Sequence, residues 1–126
     1  RLPYHLSAVT QAVALAALEH SELLLSQVAM LRDERDQLLG WLVDQGFVVA
    51  QSDANFIMFS GFDDRDRVWR ALLDQGVLIR VPEPAGWLRV SIGTPEENDL
   101  FRRALLVATH EKSATEQNTA NQEGTP

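Results

Sequence analysis

The chain has 126 residues, 45% of them hydrophobic and 23% charged, with a net charge of −7. That is enough sequence for one domain with a real core, and its acidity argues against nucleic acid or an anionic membrane as partner, since both select clustered Lys and Arg. The absence of Cys excludes a disulfide framework, a thiolate metal site and a Cys nucleophile, and no apolar run approaches the roughly 18 residues a membrane helix needs.

Arg1, not Met, stands first, and no signal-peptide pattern follows. The chain therefore reads as processed, or as a piece of something longer. Residues 1–7 read as a loop around Pro3. The Ala- and Leu-rich run from Ser7 to His20 is helical by propensity. Ser21 is the expected N-cap of a long helix that ends near Gln45, with Gly46 as its stop. Leu24, Val28 and Leu31 form an apolar stripe at one end, and Leu38 and Leu42 at the other. Between them Arg32 to Gln37 is polar on every face, with Arg32 and Asp36 spaced to pair. Such a helix bridges two packed bodies, or it lies on a surface with a solvated patch. Strands are expected at 47–50 and 55–59, joined by a turn. A helix capped by Asp63 or Asp64 and stopped at Gly76 follows, then a strand Val77 to Arg80, a Pro/Gly loop, and a strand Trp87 to Gly93. Thr94-Pro95-Glu96-Glu97 is a capping box opening a helix that runs to about Thr109. The tail 111–126 holds no large apolar residue and is expected to be disordered. The fold class is α/β, more closely an α+β unit in which helices cover a small sheet, in the order α-β-β-α-β-β-α. LVDQGFVV and LLDQGVLI echo each other, which reads as shared helix-to-strand chemistry, not as a repeat.

Few residues invite catalytic roles. There is no phosphate-cradling glycine loop. His5, His20 and His110 lie at a loop and at helix ends, without metal-ligand spacing. Lys112, the only lysine, falls in the tail. Asp63-Asp64 and Glu96-Glu97 open helices, where negative charge is favourable. Asn55 reads as a turn cap, and Trp41, Trp69 and Phe56 as core residues. Arg80 and Arg89 remain. Alternation in Trp87 to Ile92 places Leu88, Val90 and Ile92 on the core face and Arg89 on the other. A mid-strand Arg there is a solvated residue or one arm of an anion clamp, because guanidinium matches carboxylate or phosphate bidentately. The loop between Arg80 and Arg89 allows both to reach one mouth.

The segments LPYHLSAVTQ, SDANFIMF, GVLIR and GWLRVSIGTPEEND, in this order and spacing, resemble the C-terminal part of class I/II aminotransferases dependent on pyridoxal phosphate. The resemblance covers about residues 1–108 and is nearest to members that act on a phosphorylated amino alcohol. It implies that residues 1–20 end a large cofactor-binding domain, 21–45 form a linking helix, and 46–110 form most of a small α/β domain. It also implies amino-group transfer between glutamate and imidazole-acetol phosphate in histidine biosynthesis, by a cytoplasmic homodimer. Arg89 would grip the carboxylate of the amino or oxo acid, and Arg80 would help bind the phosphate. Pro3 to Ser7 matches a segment near the dimer interface. The lysine that holds the cofactor covalently, and the Asp that holds its ring nitrogen, have no counterpart in this chain. A C-terminal fragment, inactive alone, is therefore expected, with apolar surface exposed from Ala8 to Leu18 and along the first half of the long helix. The alternatives are an aromatic or other amino-acid aminotransferase of the same subgroup, or a non-catalytic anion-binding α+β module.

Overall fold

The computed structural model describes residues 6–120. Its elements are α1 (Ala8–Glu19), α2 (Ser21–Asp44), β1 (Val48–Val49), β2 (Phe56–Ser60), α3 (Arg65–Asp74), β3 (Leu88–Ser91) and α4 (Pro95–Ala120). The three strands form an antiparallel sheet in the order β1-β2-β3. One sheet face carries Ile57, Phe59, Leu88 and Val90, which pack with Leu38 and Leu42 of α2, Val68 and Leu72 of α3, and Phe101 and Leu105 of α4. At the centre, Phe59 meets Phe47, Phe62 and Phe101 at ring separations of 5.4–5.8 Å.

Helix boundaries follow local chemistry. The Ser7 hydroxyl accepts from the Thr10 amide at the start of α1, and Asp64 does the same for Arg67 at the start of α3. In the capping box of α4, the Glu97 amide donates to Thr94 Oγ1 at 3.3 Å while the Thr94 amide donates to Glu97 Oε2 at 2.8 Å. The two echoed segments are the same C-terminal motif. Gly46 and Gly76 adopt φ of +86° and +78°. Their amides donate to Val43 and Leu73, and the next residues, Phe47 and Val77, donate to Leu42 and Leu72. That is the Schellman arrangement, which drops an apolar residue back onto the helix it has just left.

Four expectations are corrected. Ser21 is the first residue of α2 and His20 its cap, because α1 and α2 meet at a one-residue corner that leaves no extended N-cap position. Asp36 pairs with Arg35, not Arg32. Residues 77–80 form no strand: only Arg80 bridges to β3, and a cleft of about 370 Å³ opens between the segment and Val90 to Gly93. The segment is held instead by Trp69, whose Nε1 donates to the Ile79 carbonyl. Finally, α4 spans Pro95–Ala120, past the end expected near Thr109. Once nucleated by its cap and packed core, a helix extends at one hydrogen bond per residue fixed. Pro3, Tyr4, His5 and the end of the tail, 121–126, lie outside the described residues.

The two apolar ends of the long helix differ: Leu38 and Leu42 are fully buried, whereas Leu24, Val28 and Leu31 of the first stripe are exposed. Helix α1 buries no residue, leaving Val9, Val13, Leu15 and Leu18 exposed. The expected apolar surface is therefore present.

Candidate functional site

The sheet face away from the core carries Phe56 and Met58 of β2 and Arg89 and Ser91 of β3. Arg89 stands there because Leu88 and Val90, its neighbours, are taken by the core (0% and 5% exposed). Its backbone faces Arg80: the Arg80 amide donates to the Arg89 carbonyl at 3.0 Å, and the Arg89 amide donates back at 2.9 Å. Directly opposed residues of an antiparallel pair project to the same side, with Cα atoms about 5.5 Å apart. The structure thus brings the two sequence-predicted arginines to one place. Arg80 is exposed and Arg89 half-buried. Among the described residues, neither guanidinium forms an ion pair. Arg35, Arg65 and Arg102, by contrast, each hold an Asp at 2.6–2.8 Å. Like charges directly opposed across a ladder are unfavourable, and no carboxylate among the described residues offsets this pair.

Phe56 does not join the core. Its neighbour Ile57 is the buried one, and the Phe56 ring lies on the arginine face with Arg89 Cζ 4.8 Å from its centroid. Period-2 alternation in NFIMF permits either assignment, and only the pairing of Phe56 with Ser91 and of Met58 with Arg89 fixes it. Trp41 and Trp69 do pack against the core. Asn55 is exposed, and its carbonyl accepts from the Ile92 amide where β2 begins.

Sequence reasoning missed Asn98. It is 2% exposed. Its Oδ1 accepts from the Gly93 amide at 3.1 Å, and its Nδ2 donates to the Gly93 carbonyl at 3.2 Å and to Glu34 Oε2 at 2.8 Å. Asn98 therefore ties the turn after the Arg89 strand to the polar belt of α2. The sign available in the sequence was the unexplained polar belt itself. A second cleft, about 340 Å³, lies beside this tie between Met30, Leu31 and Thr94-Pro95.

A small antiparallel sheet, covered by helices on one face and with Arg80 and Arg89 opposed on the other, defines a small α/β unit attached to a long helix. The sequence model of the aminotransferase class I and II family matches residues 1–105. The chain belongs to that family. It is 63% identical over 109 residues to a histidinol-phosphate aminotransferase of Thermobifida fusca, a match covering 86% of this chain and 30% of that protein. It is 54% identical over 114 residues to one of Streptomyces avermitilis, covering 90% of this chain and 31% of that one. A solved structure assigned as an aminotransferase from Burkholderia pseudomallei is similar with TM-score 0.67 and 28% identity, over 71% of this chain and 29% of that one. One assigned as a histidinol-phosphate aminotransferase from Erwinia carotovora atroseptica is similar with TM-score 0.61 and 27% identity, over 83% and 29%. The chain thus spans about a third of the length of the relatives it matches.

Proposed function

We infer that this chain is the substrate-gripping part of a pyridoxal-phosphate-dependent aminotransferase, specifically a histidinol-phosphate aminotransferase. The whole enzyme, a cytoplasmic homodimer, transfers an amino group between glutamate and imidazole-acetol phosphate. One observation carries the reading: Arg80 and Arg89 stand opposed on one sheet face, without ion pairs among the described residues, in a chain of net charge −7. Arg89 grips the carboxylate of the amino or oxo acid bidentately. Arg80 supplies the second guanidinium that a phosphate, with its higher charge and extra oxygens, calls for.

The described residues do not fit the cofactor. Pyridoxal phosphate supplies an electron sink, and holding it takes an amine for its aldehyde and a carboxylate for its ring nitrogen. Lys112, the only lysine, lies in α4, 17 residues beyond Pro95 and so roughly 26 Å along the helix from the β3 end. Residues other than these hold the cofactor in the parent enzyme. This chain's part is to bind and orient substrate.

A chimera tests the reading: the matching 109 residues of the Thermobifida fusca relative are replaced by this chain's. The chimera is expected to transaminate histidinol phosphate. Arg89→Ala is expected to lower kcat/KM about 100-fold for both glutamate and the phosphorylated substrate, the scale of a lost bidentate charge-assisted pair. Arg80→Ala should act mainly on the phosphorylated one. An unchanged kcat/KM in Arg89→Ala would overturn the assignment of Arg89. Preference for an unphosphorylated aromatic amino acid would overturn the substrate assignment alone.

A further inference from the structure

We propose that Phe56 is the positioning residue of Arg89: its ring carries the guanidinium and fixes where the anion-gripping edge points. The proposal rests on the reading of Arg89 as an anion grip and adds the element that aims it.

Three observations converge. Arg89 Cζ lies 4.8 Å from the Phe56 ring centroid, within the distance at which a guanidinium is held by the negative face of a ring. Arg89 Nε is buried and has no hydrogen-bond partner. A buried charged N–H without a partner is costly, and among the described residues the Phe56 ring is the aromatic face set against this guanidinium. Third, Phe56 is a large apolar residue placed on the non-core face, where its neighbour Ile57 leaves it no share of the core. An arginine has four rotatable side-chain bonds, and ordering that side chain on binding costs conformational entropy. A ring that holds it beforehand removes much of that cost.

The Nε–Hε resonance of Arg89 in the full chain reports the arrangement directly. In the ligand-free chain it should be shifted upfield by the ring and exchange slowly with water. Both properties should vanish in Phe56→Leu and persist in Phe56→Trp, which offers a stronger π face. Titration with glutarate and with inorganic phosphate should then show Phe56→Leu binding about fivefold more weakly than wild type, with Phe56→Trp restoring it. Arg89→Ala should abolish the response. If Arg89 Nε–Hε is the same in Phe56→Leu as in wild type, the positioning role is overturned whatever the anions do. If the wild-type resonance shows the ring shift yet responds to neither anion, the grip itself fails while the stacking stands. Should Phe56→Leu not fold, Phe56→Trp decides: loss of the shift there overturns the proposal.

Discussion

Among the described residues, removing the Asn98 side chain should be the most damaging single polar change. The amide is 2% exposed and makes three hydrogen bonds, two to the Gly93 backbone and one to the Glu34 carboxylate. A neutral hydrogen bond contributes about 1 kcal/mol and one to a charged group about 2 kcal/mol. Asn98→Ala therefore forfeits roughly 4 kcal/mol. Two effects offset part of this. Ala is the better helix former by about 0.5 kcal/mol, and the half-buried Glu34 carboxylate can turn toward water. A net loss of about 3 kcal/mol is expected, which lowers Tm by more than about 10 °C for a domain of this size. Urea unfolding followed by the fluorescence of Trp41 and Trp69 measures it. A double-mutant cycle with Glu34→Gln isolates the cross-element bond, with an expected coupling of about 1–2 kcal/mol. The nearly isosteric Asn98→Asp sharpens the test through pH. It sets a second carboxyl against Glu34, and burial together with the like charge raises the native-state pKa of the introduced group. A raised carboxyl pKa means stability held at low pH and lost as pH rises through the unfolded value near 3.9 and on to the native one. Asn98→Asp should thus approach wild type only in acid. A loss below about 0.5 kcal/mol in Asn98→Ala, or a flat pH response in Asn98→Asp, would refute the view that this amide ties α2 to the sheet.

Gly40 sits inside α2 with open space around the position of a Cβ, so Gly40→Ala should raise stability by about 0.5–1 kcal/mol, seen as a higher urea midpoint with unchanged slope. Gly76 has equally open surroundings but a φ of +78°, and Gly76→Ala should instead cost about 1–2 kcal/mol in the same assay. The contrast separates backbone conformation from packing. Arg80→Thr removes a like-charge opposition and adds a β-former. It should stabilise the anion-free chain by a few tenths of a kcal/mol while shrinking the rise in Tm that inorganic phosphate produces. An equal phosphate-induced rise in both proteins would show that Arg80 takes no part in anion binding.

Local chemistry was legible in the sequence. The capping box at Thr94, the cap at Asp64 and the twin glycine stops at Gly46 and Gly76 depend on neighbours within six residues, so their types and spacing suffice. The core face of β3 was legible for a similar reason, since alternation leaves Arg89 only one side. The two arginines, too, could be named from residue type and position. Their opposition could not. It depends on how the segment ending at Arg80 meets β3, and that segment makes a single bridge where a strand pattern promised several. Trp69 holds it from α3, a contact that arises only once helix and sheet have docked. Phe56 makes the same point. An apolar residue in an alternating strand goes to whichever face the pairing register selects, and the register is set by the partner strand. Asn98 is the extreme case: its partner Glu34 lies 64 residues away. The sequence by itself determined where helices begin and end and which strand residues are apolar, because those are questions of near neighbours. Which apolar residue carries a guanidinium, which amide binds two elements together, and whether two arginines share a face were decided by tertiary structure alone, because each depends on the pairing of distant segments.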